Sequence, residues 1–341
     1  MLSVCVWAFY AETTRHNAQI GMCDARARID AARAEEEDPP VEYHSDVPRQ
    51  RYAHRVNDGQ VTNPKILPSC VRELRASFVP WHDDIFIATF PRCGTTWTQQ
   101  IVLLLLNGGD PTGLNLSMCG EHTPWVEQVV SSREPGRDRA WLDNMPSSRR
   151  RVLKTHASVP NFPCVPDGAR LYSTPTARTV FVTRNPKDAC VSNFHHARDK
   201  PVFDFSEGRW EDFFELFMSG RTESGDFWQF TTEWAAAAAA DPERVLCMRY
   251  EQLATDPAAA IATIARHLGV EPEPGLIDRV VKASGIEAMR AQHAERMQPN
   301  HLRKGGVGGW RSVLTEAEAG RIDARCAQAL QGCAGLRFEF G

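Results

Sequence analysis

The sequence predicts an α/β protein: a single domain in which a central, mostly parallel β-sheet is flanked by helices. Three observations point there. From Asp84 onward short β-rich runs alternate with helical patterns, the mark of crossover units and of a sheet covered on both faces. The 341 residues, 42% of them hydrophobic, are enough to bury a large core. No uninterrupted apolar run approaches the roughly 20 residues of a membrane span, so no membrane partner is expected. With 39 basic against 43 acidic side chains the net charge is −4. That balance argues against a protein that coats nucleic acid. It leaves room for one small, highly anionic ligand, provided the positive charge is concentrated in one place.

The elements follow in order. Residues 1–65 read as an N-terminal extension, partly helical around Asp24–Glu37 or mobile, with an acidic solvated run that stops at Pro39. Residues 66–341 read as the domain. Asp84–Phe90 is a strand that ends at Pro91, and Thr95–Asn107 a buried helix. Arg151–Thr155 and Arg178–Arg184 are further strands, the second leading into Asn185-Pro186, with proline at the first turn of a helix that runs to about Arg198. Arg244–Tyr250 is a strand after the alanine-rich helix Trp234–Ala240. Helices are expected at 256–268, 273–283 and 315–331. No internal repeat is present.

The ten cysteines are scattered and include no C-x-x-C pair. Free thiols in a reducing compartment are expected, with no metal site. The N-terminal MLSVCVWAFYAETTR lacks a basic region ahead of its apolar stretch, does not read as a signal peptide, and implies a cytoplasmic location.

The chemistry concentrates in a few segments. In Phe90-Pro91-Arg92-Cys93-Gly94-Thr95-Thr96-Trp97 a strand passes through a small-residue turn directly into a helix. That arrangement aims free backbone N–H groups and the positive helix end at one point, as a phosphate or sulfate requires. An ordinary capped helix start is the other reading of the same residues. The segment is not a Walker A loop, because the second glycine and the following lysine are absent, and this disfavours a P-loop-like nucleotide kinase. It closely resembles the 5′-phosphosulfate loop, P-K-S-G-T-T-W, of the cytosolic-type sulfotransferases that use 3′-phosphoadenosine-5′-phosphosulfate (PAPS). Arg92 stands in place of lysine and Cys93 in place of serine.

Further segments follow in that family's order. Arg184-Asn185-Pro186-Lys187-Asp188-Ala189-Cys190-Val191-Ser192 is similar to the element that holds the nucleotide 3′-phosphate. Arg184 closes a strand there, and Ser192 lies two turns into the next helix. Leu302-Arg303-Lys304-Gly305-Gly306-Val307-Gly308-Gly309-Trp310-Arg311 resembles the family's C-terminal phosphate-binding lid, with Gly309 and Arg311 replacing its aspartate and lysine. Tyr250 and Trp97 match the family's adenine neighbours. Ser284 stands at its adenine-contacting threonine, and Ile286 at an aromatic that this chain lacks. Lys154-Thr155-His156 resembles the K-T-H motif.

The resemblance implies the sulfotransferase fold with its P-loop-like phosphosulfate loop. It also implies transfer of a sulfuryl group from PAPS to a hydroxyl, or an amine, of a small-molecule acceptor, leaving adenosine 3′,5′-bisphosphate (PAP). His156 is the expected general base, with Lys154 and Arg92 as the other catalytic residues. Arg92, Cys93, Gly94, Thr95, Thr96, Trp97, Arg184, Ser192, Tyr250, Ser284, Ile286, Leu302, Arg303, Lys304 and Gly305 are the expected nucleotide contacts. Trp125, Phe162, Phe194 and also Trp228 are candidate walls of the acceptor pocket. His195 and His196 receive no catalytic role. An inactive nucleotide-binding homologue is the remaining alternative, which Lys154 and His156 oppose. The family's dimer motif falls at Arg311–Gly320, where only Thr315 matches, so a monomer or a different dimer is expected.

Overall fold

The computed structural model describes residues 38–114, 122–132, 136–145, 150–163, 177–293, 305–331 and 336–338. The helix expected at Asp24–Glu37 lies outside them. A small antiparallel sheet comes first: β1 (Glu42–Tyr43), β2 (Ala53–Asn57) and β3 (Gln60–Thr62). The central sheet holds β4 (Ile85–Thr89), β5 (Val152–Thr155), β6 (Arg178–Thr183) and β7 (Val245–Arg249), all parallel, in the order β5-β4-β6-β7.

The pleat divides the core into two. Phe86 and Ala88 of β4 face one cluster, which they share with Leu153, Phe181, Phe162 and Trp234. Ile85 and Ile87 face the other, with Val152, Val180, Val182, Leu104 and Ile261. A strand apolar on both faces is what a sheet covered by helices on both sides demands. The helices Thr95–Leu106, Pro257–Leu268 and Leu276–Ser284 cover the second face, and Phe227–Ala240 packs on the first. Among the described residues no helix is long and apolar enough to cross a membrane.

The amino ends of the strands are clamped by a buried ion pair. Arg151 Nε donates to Asp84 Oδ1 at 2.7 Å, Trp81 N donates to Asp84 Oδ2 at 2.7 Å, and the guanidinium lies 3.8 Å from the Trp81 ring centre. Burial pushes the Asp84 carboxyl up, while Arg151 opposes that shift.

Residues 38–65 pack on the domain, although their composition assigns them to an extension. Tyr52 is fully buried, stacks on Phe203 at 5.3 Å, and its hydroxyl accepts the Glu223 N–H at 2.8 Å. A single aromatic anchor in a polar, turn-rich stretch produces no apolar periodicity, so the sequence does not reveal it.

The strand order determines where a ligand sits. β4 is the first strand of the central sheet in the chain but lies between β5 and β6, so sheet growth changes direction beside it. In such sheets the crevice outside the carboxyl ends at that switch point is the binding site.

Candidate active site

The described parts of the chemical segments gather at those carboxyl ends, around a cavity of about 1000 Å³. Arg92, Gly94, Thr95, Thr96 and Trp97 line it after β4, Lys154 and His156 at the end of β5, Arg184 and Ser192 after β6, and Tyr250 after β7.

The turn after β4 is shaped by its backbone. Arg92 has φ of 71° and Gly94 φ of 100°, both in the left-handed region. At Gly94 a Cβ would stand 2.9 Å from Tyr250 Cδ2, so glycine serves both the turn and the close approach of the tyrosine ring. The Thr95–Leu106 helix starts at once, and its first-turn N–H groups have no intrahelical acceptors. Thr95 Oγ1 is 2.6 Å from Thr89 Oγ1. Cys93 contributes backbone only: its side chain is fully buried in the core, and burial pushes the thiol up to about 12.

Arg184 ties this turn to the glycine-rich segment. It donates to the carbonyls of Arg92 at 3.2 Å and Gly306 at 3.0 Å, and its guanidinium carbon lies 4.2 Å from the Tyr250 ring centre. Ser192 Oγ accepts from Arg92 Nε at 3.2 Å, which brings the two segments within one anion's reach. Trp97 meets Tyr250 edge-on at 5.4 Å, and both rings line the cavity together with Ser284, Ile286, Met289 and Val307. Buried Trp97 Nε1 and Arg184 Nε have no hydrogen-bond partner among the described residues, consistent with a site built around a polar ligand. Gly305 lines the same cavity, whereas Leu302, Arg303 and Lys304 lie outside the described residues.

A clamp that sequence reasoning missed seats the glycine segment. Asp188 accepts from Gly308 N at 2.7 Å, Trp310 N at 2.9 Å and Asn185 Nδ2 at 3.0 Å. Lys187, its neighbour in the motif, turns the other way, to Asp323 at 2.9 Å and over the Trp310 ring.

His156 is oriented by β4. Its Nδ1 donates to the Thr89 carbonyl at 2.7 Å, so in the neutral ring Nε2 carries the lone pair. Trp125 meets the imidazole edge-on at 5.0 Å and holds Lys154 Nζ 4.4 Å from its own ring centre. Burial, and then the Lys154 charge, hold the His156 imidazole well below its ordinary value, opposed only by the bond to Thr89. Beneath it Thr155 Oγ1 donates to buried Glu127 and accepts the Ala157 N–H at 3.0 Å, fixing the turn. Burial pushes the Glu127 carboxyl up.

Of the proposed acceptor walls, Trp125 lines the cavity, but Phe162, Phe194 and Trp228 do not. Phe162 sits between Phe86 at 4.9 Å and Trp234 at 5.2 Å. Phe194 packs on Trp210 at 5.4 Å, and Trp228 bonds Cys326 Sγ at 3.2 Å. Each lies on the side of its element that faces the apolar core. The cavity lining also includes Asn63, Lys65, Gln128, His196, Lys200 and Glu223, together with Pro201, Val202 and Phe203.

Fold and site together define a group-transfer enzyme with an anion cradle at the switch point of a parallel sheet. The model of the sulfotransferase domain matches residues 82–334. The chain therefore belongs to the sulfotransferase family and is a sulfotransferase. Human sulfotransferase 1C2 is 27% identical over 267 residues, covering 75% of this chain and 86% of that one. Arabidopsis thaliana cytosolic sulfotransferase 5 is 28% identical over 287 residues, covering 79% and 85%. Among solved structures, mouse sulfotransferase SULT7A1 complexed with PAP aligns with a TM-score of 0.65 at 22% identity, over 82% of this chain and 95% of that one. The fold is shared.

Proposed function

We propose that the chain uses PAPS as donor and a hydroxyl-bearing small molecule as acceptor, with His156 as general base. The observation that carries this is the single cavity uniting Arg92, Thr95, Thr96, Arg184 and Ser192 with Lys154 and His156. PAP accompanies the structurally similar SULT7A1 and also retinol dehydratase, whose structure is in complex with androsterone and PAP. The turn amides and Thr96 would hold the 5′ side of the nucleotide, Arg184 and Ser192 its 3′-phosphate, and Trp97 and Tyr250 the base. When bound, PAPS supplies an activated sulfuryl group on a phosphate leaving group.

The chain's residues do the rest. Nε2 of His156 takes the acceptor hydroxyl proton as that oxygen bonds to sulfur. Lys154 and Arg92 place positive charge where the leaving oxygen becomes negative, and positioning with electrostatics supplies most of the rate. Arg92 acts there by charge alone, because a guanidinium does not readily give up a proton.

Calorimetric titration with PAP, adenosine 5′-monophosphate and ATP tests the donor assignment. PAP is expected to bind at least about a hundredfold tighter than the monophosphate, since it adds charge-assisted bonds to Arg184 and Ser192. Equal affinity would remove the 3′-phosphate site.

A further inference from the structure

One wall of the cavity carries a buried carboxylate that the donor and the base do not use. The Glu223 side chain is 4% exposed, yet the residue lines the cavity. It is held firmly: its N–H donates to Tyr52 Oη at 2.8 Å and its Oε1 accepts from Asn63 Nδ2 at 2.8 Å. Asn63 is pinned in turn by accepting the Lys65 N–H at 3.0 Å. Oε2 has no hydrogen bond among the described residues; His196 Nε2 stands 3.8 Å away, beyond bonding distance. A fixed carboxylate oxygen on a cavity wall with no donor among the described residues is satisfied when a ligand brings one.

The surrounding charge selects the kind of donor. Arg92, Lys154 and Lys200 all act electrostatically on this carboxylate, and Lys65 and Lys200 line the same cavity. An ammonium group placed at Oε2 would meet those cations, whereas a neutral O–H donates without adding charge. Pro201, Val202 and Phe203 give the remaining wall an apolar surface for the body of a small molecule.

We propose that Glu223 determines acceptor specificity: the enzyme prefers a neutral acceptor with a second hydroxyl, remote from the reacting one, that donates to Glu223 Oε2. The inference rests on the sulfotransferase reading above. Asn63 and Tyr52 act as positioning residues for the carboxylate.

The test uses para-alkylphenols with chains of two to five carbons ending in methyl, hydroxyl or ammonium. Binding is measured by calorimetry to the protein saturated with PAP, and transfer is measured with PAPS. At one chain length the hydroxyl-ended phenol should show a Kd about tenfold or more lower, and a kcat/KM about tenfold or more higher, than its methyl-ended partner, with no such gain for ammonium. Glu223→Leu, which removes the acceptor, should bring that ratio close to one. No hydroxyl preference at any length, a preference for ammonium, or a preference that survives Glu223→Leu would each overturn the proposal. Should the variant fail to fold, the wild-type series decides alone. Loss of PAP binding or of all transfer in the wild type would strike the underlying function instead.

Discussion

His156 Nδ1 lies 2.7 Å from the carbonyl oxygen of Thr89, a residue 67 positions earlier in the chain. Thr89 ends β4 and His156 follows β5, and these strands are paired neighbours, so the bond comes directly from the parallel register. It commits Nδ1 to donation and leaves Nε2 as the basic atom. Thr89 Oγ1 also meets Thr95 at the start of the helix after β4, so one threonine indexes both the proposed base and the proposed anion cradle.

The pH profile follows from this environment. A buried imidazole beside Lys154 stays neutral, and so basic, well below its ordinary value of 6.5. The acidic limb of kcat/KM is therefore expected below pH 6.5. Lys154→Met removes one of the two causes that lower the value, so the limb should move up toward 6.5, besides the loss in kcat. A limb that stays in place in the variant would show that the lysine charge does not act on the base.

Gly94→Ala tests the turn. A side chain at φ of 100° costs about 1–2 kcal/mol, and the added Cβ stands 2.9 Å from the Tyr250 ring. The expected result is a lower Tm together with weaker PAP binding, because the ring proposed to hold the base must shift. Unchanged PAP affinity would separate Tyr250 from the nucleotide.

How the glycine-rich segment is seated can be read by hydrogen exchange. Asp188 accepts the amide protons of Gly308 and Trp310. Asp188→Ala should raise exchange at those two amides and speed PAP dissociation by about tenfold, the value of losing a bond or two to a charged acceptor. Protection unchanged at both amides would show that other contacts seat the segment.

The sequence disclosed the parts of the fold that rest on local pattern. Runs apolar on both faces, such as Ile85–Thr89 and Val180–Val182, indicated buried parallel strands, and Asn185-Pro186 indicated the helix start that the Asn185 side chain caps. The turn at Arg92–Thr96 was legible because strand, small residues and helix are contiguous. Thr315 illustrates the reverse case: it aligns with a dimer motif, and in the structure it is the N-cap of Glu316–Ala329, in a capping box with Glu318. The cavity lining assigned to the acceptor by proposal was not legible. Asn63, His196 and Glu223 come from three distant segments and meet only through the tertiary fold, while Phe162, Phe194 and Trp228 were aromatic for the core's sake. Tyr52 was hidden in the same way.

Stability should depend sharply on the clamp at the other end of the sheet. Arg151→Ala leaves Asp84 buried without its partner, which costs about 3–5 kcal/mol. The double variant Arg151→Met with Asp84→Leu should recover much of that loss, because an apolar pair carries no desolvation penalty. Denaturant unfolding of the three proteins checks this, and a double variant as unstable as Arg151→Ala would assign the loss to packing rather than to charge.

Single-turnover transfer of labelled sulfate from PAPS to a phenol, compared between the wild type and His156→Ala, tests the catalytic assignment most directly. The wild type should form the labelled sulfate ester. His156→Ala should bind PAP as before and transfer about a hundredfold to ten-thousandfold more slowly. Transfer by His156→Ala at the wild-type rate, or a wild type that binds PAP and transfers nothing, would contradict the account.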